Sequence, residues 1–318
     1  MADPEADSLV AVSSAKQYRW ESGAPAYGCG RIPNSIDLPA TIVEAMSLYM
    51  VRRRPGEGAP TRRFGSRPVL FELDPIEQVD VNNPVDLELA EAICAGQRAA
   101  ENGRLRSMCS LLSSPILADI SKEMGLTTVL PRAIRATSPG KLLGRAKTLA
   151  LRALDEGQRR TDAWKGIYGA LDSYRFLRPN DVIMVSNSSP EHAYFGDLNA
   201  NLAIRSGAAG AIIDGVTRDT GDVRALGLPV YARGSYCDDI KYEGTMAAMN
   251  GPIEIGDVPI SNNDMVFADE DGVVVIPQRH WADVERTAWD VLSNEHRIRL
   301  SAAMGRDVNE ILAECGTF

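Results

Sequence analysis

The sequence is poor in the cysteine patterns that mark disulfide frameworks and zinc sites. Its five cysteines are odd in number and widely spaced, and no Cys-x-x-Cys pair occurs. This pattern argues against both kinds of site and is typical of thiols in a reducing cytosol.

Long apolar runs and an excess of basic residues are also missing. No run approaches the roughly 20 residues that cross a membrane as a helix, and residues 1–10 lack a basic region followed by an apolar core. A formal net charge of -9 disfavours a nucleic acid bound through its phosphates. We therefore expect a cytoplasmic protein without a membrane or nucleic-acid partner.

The length predicts two domains. A chain of 318 residues is long for one ordinary domain and natural for two. Residues 96–108 are polar and contain glycines, so we place the boundary there, between a segment of residues 1–100 and a domain of residues 101–318. We see no internal repeat.

The first segment shows signals of strands and one helix. Residues 8–12 and 68–73 are apolar enough for strands, whereas residues 41–52 suit either a strand or a helix. Asn83 is a candidate helix N-cap, with Pro84 at the first helical position. The apolar stripe of that helix would consist of Leu87, Ala90, Ile93 and Cys94.

This segment resembles the C-terminal half of the CMP-sugar synthetases, the acylneuraminate cytidylyltransferase family. The resemblance covers about residues 7–97 and depends on DSLVAV, KQYRW, IPNSIDLPATIVEAMSLYMVRR and, above all, VDVNNPVDLELAEAI. It implies a magnesium-binding Asp-x-Asp pair, of which Asp80 is present while Asn82 replaces the second acid. The nucleotide-binding half would precede residue 1, so we expect a remnant or scaffold, or a piece of a longer fusion, that transfers no nucleotide.

The second domain alternates helices and strands, which predicts an α/β fold. Ser113, Ser114 and Pro115 signal a helix start, and Gly125 a helix end. An unbroken apolar run at 182–185 suits a strand that is covered on both faces. Further helices are expected at 164–171 and 281–300, with a last one ending at Cys315, and further strands at 143–151, 228–233, 253–255, 265–268 and 272–277.

The stretch Gly196–Asp222 is the most informative part of the chain. A Gly-Asp-Leu turn leads into a helix of small residues, then a glycine turn and an apolar strand, and ends on a loop with Arg218 and Asp219. Unpaired amides at a helix start can hold a carboxylate. Loops at the carboxyl ends of strands are where α/β folds place their ligands.

These residue types suit a 2-oxo acid and a divalent metal. Arginine binds a carboxylate or carbonyl oxygen through its fork of donors. A carboxylate can anchor Mg²⁺, which polarises a carbonyl. No lysine lies in this motif to suggest a Schiff base. On the residues alone, a structural ion pair between Arg218 and Asp219, or a turn cap, explains the pattern equally well.

The spacing also resembles a known family. Asp197, twenty intervening residues, Arg218-Asp219, two residues and then Asp222 match the D-x20-R-D-x2-E/D pattern of RraA-like proteins. These include the 4-hydroxy-4-methyl-2-oxoglutarate aldolases, class II pyruvate aldolases that also decarboxylate oxaloacetate. The similarity extends over about residues 105–290 and includes RPNDVIMVSN, AYFGDLNANLAIRSGAAGAIIDGVTRD, GLPVYARG and MVFADEDGVVVIP.

The resemblance implies a fold, a cofactor and an assembly. The expected fold is a swivelling β/β/α domain, preceded here by a partial α/β cytidylyltransferase-like segment. The cofactor would be Mg²⁺, Mn²⁺ or another divalent metal, and the partner a small 2-oxo acid. Trimers or hexamers are expected, with sites at subunit contacts that Glu295 of a neighbouring copy could complete.

The resemblance also assigns roles to individual residues. Gly196, Asp197, Leu198 and Asn199 would form the substrate loop. Arg218 would bind the 2-oxo acid and stabilise the enolate, and Asp197 would orient, with Arg218, a water that moves the proton. Asp219 would anchor the metal, and Asp222 would hold a metal-bound water.

Two departures from the family pattern concern the substrate. Asn199 stands where many relatives carry an apolar residue, and Ser261-Asn262-Asn263-Asp264 replaces a common Pro-Gly-Asp. One alternative is a non-catalytic RraA-like regulator that binds a ribonuclease. Another, suggested by the first segment, is an aldolase of a sugar-acid pathway.

Other polar residues are expected to be structural. His192 lies four residues before the substrate loop and could face it, although a structural role is favoured. His280 and His296 are predicted at the surface, Asp269 and Asp271 in a turn, and Ser113-Ser114 at a helix cap.

Overall fold

The computed structural model describes residues 5–53, 56, 58–59 and 61–316. It divides the chain into two compact units, Met1–Arg98 and Ala99–Phe318, which are considered separately. None of the helices in the described ranges is both long and apolar enough to cross a membrane.

The strands of the described residues are β1 Ser8–Lys16, β2 Trp20–Glu21, β3 Ala24–Pro25, β4 Ala40–Val51, β5 Pro68–Glu72, β6 Arg135–Ser138, β7 Leu142–Ala153, β8 Asp181–Asn187, β9 Gly210–Thr217, β10 Val230–Ser235, β11 Gly244–Met249, β12 Ile253–Ile255, β13 Val258–Ile260, β14 Met265–Ala268 and β15 Val273–Ile276. The α-helices are α1 Pro84–Leu111, α2 Ser114–Glu123, α3 Glu156–Arg159, α4 Asp197–Arg205, α5 Thr220–Leu226, α6 Gln278–Ala303 and α7 Val308–Cys315. Short 3₁₀ helices occupy Ser35–Asp37 and Pro75–Gln78, and a longer one Asp162–Phe176.

The first unit contains a three-stranded sheet in the order β4-β1-β5. The central strand β1 pairs antiparallel with β4 and parallel with β5. Residues 41–52, which the sequence left open between strand and helix, thus belong mainly to a strand. The central strand carries the buried residues of the sheet, among them Val10, Ala11 and Val12.

The start of α1 is confirmed, but its predicted apolar stripe is half-buried only at Ala90 and Ile93. The side-chain oxygen of Asn83 accepts hydrogen bonds from the amides of Val85 and Asp86, at 2.9 and 3.2 Å. Leu87 is exposed, as is Cys94. The buried residues of the helix are instead Asn102, Leu105 and Met108, near its end. Residues 96–108, where the sequence predicts the boundary between two domains, lie within this helix.

The second unit is an α/β domain built on one mixed sheet. Its strand order is β15-β14-β7-β8-β9-β10-β6, with β11 paired to β7. The neighbours β7, β8, β9 and β10 are parallel, and the outer pairings are antiparallel. The first five residues of β8 are all buried, as its continuous apolar run predicts for a strand covered on both faces.

A long 3₁₀ helix lies against β11. The sequence predicts a short helix at 164–171, whereas the structure has 3₁₀ geometry over Asp162–Phe176. A Cβ added to Gly166 would lie 2.3 Å from the Thr245 hydroxyl oxygen. Glycine at this position therefore allows the backbone of the helix to approach β11 closely.

The start of α2 is capped by a residue distant in sequence. Ser113 is the N-cap residue, but its side chain makes no capping hydrogen bond. The buried Asp269 carboxylate instead accepts hydrogen bonds from the Ser114 amide at 2.9 Å and the Ser114 hydroxyl at 2.6 Å. It also accepts one from the Asp271 amide at 3.1 Å, so Asp269 joins its own turn to α2.

Candidate functional site

The substrate loop and the Arg-Asp pair meet at the carboxyl end of β9. Phe195, just before the loop, forms a parallel bridge with Thr217, the last residue of β9. The Arg218 amide donates to the Phe195 carbonyl at 2.9 Å. The start of α4 and the end of β9 are therefore held side by side, as the sequence predicts for an α/β fold.

Gly196 lies directly beside the Asp219 carboxylate. A Cβ added to Gly196 would lie 2.5 Å from Asp219 Oδ2 and 3.2 Å from Arg218 Cγ. No side chain other than hydrogen fits there without displacing the Arg-Asp pair. Gly196 is also the N-cap residue of α4, and its side chain can cap nothing. The amides of the first turn therefore stay without partners in the helix.

Asp219 has an unusual backbone. Its φ of 54° and ψ of 31° place it in the left-handed region, which is uncommon for a residue with a side chain. Its carbonyl accepts the amide of Val223 at 3.0 Å, which starts α5. Left-handed non-glycine residues cluster at functional sites, where the surrounding structure holds them.

Arg218 is held between two carboxylates. Its Nη1 lies 2.6 Å from Asp239 Oδ2, and its Nε lies 3.5 Å from Asp219 Oδ2. All three side chains are 37% exposed. A guanidinium has five N–H donors, so it can bind these acids and a ligand at once.

The other predicted site residues lie around this pair. Asp197 opens α4 and is half-buried, and Leu198 next to it is exposed. The Asn199 side-chain amide donates to the Tyr194 carbonyl at 2.7 Å, which ties the start of α4 to the residues just before it. Asp222 lies in the first turn of α5 and is exposed.

A cavity of about 600 Å³ opens in front of these residues. All of the predicted substrate-loop residues line it, as do Arg218 and Asp219. Asp222 does not line this cavity. Arg218 and Asp219 also line a second, smaller concavity of about 390 Å³, together with Ser235, Tyr236 and Cys237.

Two charged residues of the site were not predicted from the sequence. Asp239 and Lys241 both line the cavity. The segment that carries them follows β10 and pairs with the residues just before the substrate loop, through a parallel bridge between Ala193 and Asp239. The Asp239 side chain also accepts the Lys241 amide at 2.6 Å. Because β10 is parallel to β9, its carboxyl end reaches the same edge of the sheet, and this signal could have identified Asp239.

The Lys241 ammonium lies over two aromatic rings, 4.8 Å from the Trp164 centroid and 4.9 Å from the Tyr242 centroid. Its interaction with the Tyr242 hydroxyl is the main reason why the pKa of Lys241 is raised above its usual value. A protonated, ring-bound ammonium is a poor nucleophile.

The remaining candidates lie outside the cavity. The His192 ring is 2.9 Å from the Ser189 hydroxyl and 3.8 Å from Asp238. Glu295 pairs with Arg299 on α6. The buried Asp264 accepts the Ser261 amide at 2.7 Å and the Gln278 amide at 2.9 Å. In the segment 261–264, which differs from the common Pro-Gly-Asp of the family, Asp264 therefore joins a turn to the start of α6.

The residues present suit a weakly chelated hard cation. Among the described residues, no group of three or more His, Cys, Asp and Glu side chains is placed to hold a metal ion. Mg²⁺ commonly binds through one or two carboxylates, with waters and the substrate as the other ligands. Asp219 meets that requirement, because its carboxylate is partly exposed and lies at the cavity beside a glycine.

Comparison with known proteins identifies a family for the second unit. Residues 114–275 match the family model of the RraA-like proteins, described as Aldolase/RraA. A protein of Halalkalibacterium halodurans, provisionally named a 4-hydroxy-4-methyl-2-oxoglutarate aldolase, is 37% identical over 101 residues. That match covers 31% of this chain and 48% of the relative. The first few curated relatives are matched over 21% to 62% of their own length.

Solved structures show the same fold. An uncharacterized Pseudomonas syringae protein aligns with a TM-score of 0.58 at 25% identity, over 67% of this chain and 94% of the other. RraAS2 of Streptomyces coelicolor, described as an unusual member of the RNase ES inhibitor RraA family, aligns with a TM-score of 0.52 at 27% identity. That alignment covers 61% of this chain and 94% of RraAS2.

The matched range begins at residue 114, so the resemblance of residues 7–97 to cytidylyltransferases stays a prediction. The α/β fold of the second unit is confirmed. With about half of its residues inside the family model, and with the Asp197, Arg218 and Asp219 pattern gathered at one cavity, the chain belongs to the RraA-like family.

Proposed function

We propose that the protein is a divalent-metal-dependent lyase that cleaves a 2-oxo acid to give pyruvate. The reaction would be that of a class II aldolase or an oxaloacetate decarboxylase. The observation that carries the proposal is the contact between Gly196 and the Arg218-Asp219 pair. It places an arginine, a carboxylate and the open start of a helix at one cavity.

The chain's own groups would bind the substrate as an anion. The unpaired amides at the start of α4 and the Arg218 guanidinium both attract a carboxylate. A planar guanidinium can hold the carboxylate and the neighbouring carbonyl oxygen together. Asp239 holds Arg218 in place by its 2.6 Å contact, so the arginine is oriented before the substrate arrives.

Asp219 would hold the metal, with Asp222 acting through a bound water. A divalent metal at this position supplies a Lewis acid that polarises the 2-oxo carbonyl. Arg218 then adds a fixed positive charge where negative charge develops on that oxygen. Asp197 lines the same cavity and would orient a water. With a 4-hydroxy-2-oxo acid as the aldol substrate, this water would take the proton from the C4 hydroxyl and return a proton to C3.

A Schiff-base mechanism is disfavoured by the state of the lysine at the cavity. A Schiff-base lysine needs a lowered pKa, because only the neutral amine attacks a carbonyl. The pKa of Lys241 is instead raised, mainly through Tyr242. In the proposed reaction, Arg218 and a metal would instead stabilise the charge on the enolate.

The experiment is a pyruvate assay on the purified protein. Oxaloacetate is supplied with Mg²⁺, with Mn²⁺ or with EDTA, and Arg218→Ala is measured beside the wild type. We expect metal-dependent pyruvate release that the variant loses. If the protein releases no more pyruvate than the metal alone, and Arg218→Ala behaves the same, the proposal is wrong.

A second candidate function is regulation of a ribonuclease. It is favoured by the similarity to RraAS2, which aligns over most of its own length. Capture of a ribonuclease from cells by a protein that has no lyase activity would support this alternative.

We also propose that the domain is of the swivelling β/β/α type and assembles as a trimer or hexamer. Light scattering of the purified protein tests the assembly. If Glu295 of a neighbouring copy completes the site, Glu295→Gln should lower the lyase activity without changing the mass of the assembly.

A further inference from the structure

The cavity has a polar end and an apolar end. The polar end consists of the substrate loop with Arg218, Asp219 and Asp239. Five other residues of the lining present apolar groups: Ile167, Tyr168, Leu171, Leu202 and Ile240. A small dicarboxylate has no apolar group that would cover these residues.

One packed element builds much of the apolar end. The 3₁₀ helix Asp162–Phe176 supplies Tyr168 and Leu171, while Ile167 on the same helix is buried. The close approach of Gly166 to Thr245 fixes this helix against β11. The apolar wall of the cavity, formed by Ile167, Tyr168 and Leu171, therefore belongs to a packed element rather than to a loose loop.

The wall is also incompletely covered. Tyr168 is 52% exposed and Leu171 is 42% exposed, and both face the cavity that contains Arg218. When a ligand covers apolar surface that is in contact with water, the free energy of binding becomes more favourable by about 25 cal/mol per Å². At about 600 Å³, the cavity falls within the range of roughly 300–1,000 Å³ that holds drug-sized ligands.

Lys241 is the one charged residue of the lining outside the polar end. Its ammonium lies over the Trp164 and Tyr242 rings, and its stem is itself apolar. The charged groups that line the cavity are otherwise confined to the substrate loop and its neighbours Arg218, Asp219 and Asp239.

From this division we infer that the natural substrate is a 4-hydroxy-2-oxo acid with a bulky apolar group on C4, such as an aromatic ring, rather than a small dicarboxylate. This inference rests on the proposed lyase function. The 2-oxo carboxylate lies at Arg218 and the start of α4, and the apolar group lies against Tyr168 and Leu171.

The reaction balances without a co-reactant. The C4 hydroxyl loses its proton to water held by Asp197, the C3–C4 bond breaks, and C4 becomes the carbonyl of an aldehyde. The electron pair of that bond passes to C3 as the enolate. Protonation of C3 gives pyruvate, and the aldehyde keeps the apolar group.

The test compares two substrates with the purified full chain and Mg²⁺. They are 4-hydroxy-2-oxo-4-phenylbutanoate and the dicarboxylate 4-hydroxy-2-oxoglutarate, and pyruvate release is measured for each. We expect kcat/KM to favour the phenyl compound by at least about tenfold, since burial of even one methylene group discriminates about 10- to 200-fold. Equal cleavage of both, or a preference for the dicarboxylate, would overturn the inference.

Variants locate the preference in the wall. Tyr168→Ser and Leu171→Ser should each lower the ratio of the two kcat/KM values about tenfold, with the loss falling on the phenyl compound. Phe176→Ser is the matched control, because Phe176 is an exposed aromatic residue of the same helix that does not line the cavity. It should leave the ratio unchanged.

Oxaloacetate separates this inference from the proposed function. Pyruvate release from oxaloacetate without a preference for the phenyl compound would contradict the inference alone. No release from any of the three substrates would contradict both. A parallel loss with both aldol substrates in the wall variants, together with a lower mass in light scattering, would show that a second copy of the chain covers the wall, and the inference would be wrong.

Discussion

Arg218 and Asp239 form an ion pair of 2.6 Å between the loops that follow two neighbouring parallel strands. The pair orients the guanidinium at the cavity while leaving donors for a substrate. Asp239 acts on the reaction through Arg218 and is therefore a positioning residue.

We predict that Asp239→Ala lowers kcat/KM for oxaloacetate about 10- to 100-fold, because small displacements of a binding group are costly. Asp239→Asn should lose less, since its amide oxygen can still accept a hydrogen bond. Steady-state pyruvate release measures both. The control is Asp238→Ala, whose exposed side chain lies 3.8 Å from His192. Similar effects at positions 238 and 239 would contradict the role of the pair.

Gly196→Ala should impair metal binding without unfolding the protein. The new Cβ would lie 2.5 Å from Asp219 Oδ2, so the carboxylate must move. We expect the half-activating Mg²⁺ concentration to rise about 10- to 100-fold, the usual cost of disturbing the support of a metal ligand. Gly221→Ala is the control, because nothing lies within 4 Å of a Cβ at that position. An unchanged metal requirement in Gly196→Ala would show that Asp219 is not the anchor.

The capping contacts of Asp269 should contribute to stability rather than to catalysis. Asp269→Ala leaves the Ser114 amide and hydroxyl without their partner at a buried site. The expected loss is about 1–3 kcal/mol of the free energy of unfolding, measured by urea denaturation. Asp271→Ala changes an exposed neighbour and should alter stability by less than about 0.5 kcal/mol. If Asp269→Ala unfolds at the wild-type urea concentration, the capping role is wrong.

Lys241 should not form a Schiff base. Its raised pKa, due mainly to Tyr242, keeps the ammonium charged to a higher pH than that of an ordinary lysine. The neutral amine is therefore scarcer than usual near neutral pH. Incubation with pyruvate and borohydride, followed by mass spectrometry, should show no covalent adduct. Reduction of pyruvate onto Lys241 would instead indicate a class I mechanism.

The sequence predicted the parts of the site that are local in the chain. The apolar run of β8 and the Gly196–Asp222 stretch each carry their own signal, and their elements appear where expected. Asp239 and the 3₁₀ helix that carries Tyr168 reach the cavity only through sheet pairing and packing. Such long-range placement leaves little trace in local periodicity.

Asn199 has a contact that the sequence did not predict. It lines the cavity, so its role in substrate choice stays a prediction, and its side-chain amide also donates to the Tyr194 carbonyl. Asp269 is a similar case, because a turn residue by sequence turns out to cap a helix more than 150 positions earlier in the chain.

The most direct test of the central claim is the rate of pyruvate release from oxaloacetate as a function of Mg²⁺ concentration. It is measured for the wild type, Arg218→Lys and Asp219→Asn. We expect saturable metal dependence in the wild type. Arg218→Lys should lose about 100-fold or more in kcat/KM, because it keeps the charge but not the fork of donors, with its metal requirement little changed. Asp219→Asn should instead need far more metal. A wild-type rate equal to that of Mg²⁺ alone, or equal rates for all three proteins, would contradict the account.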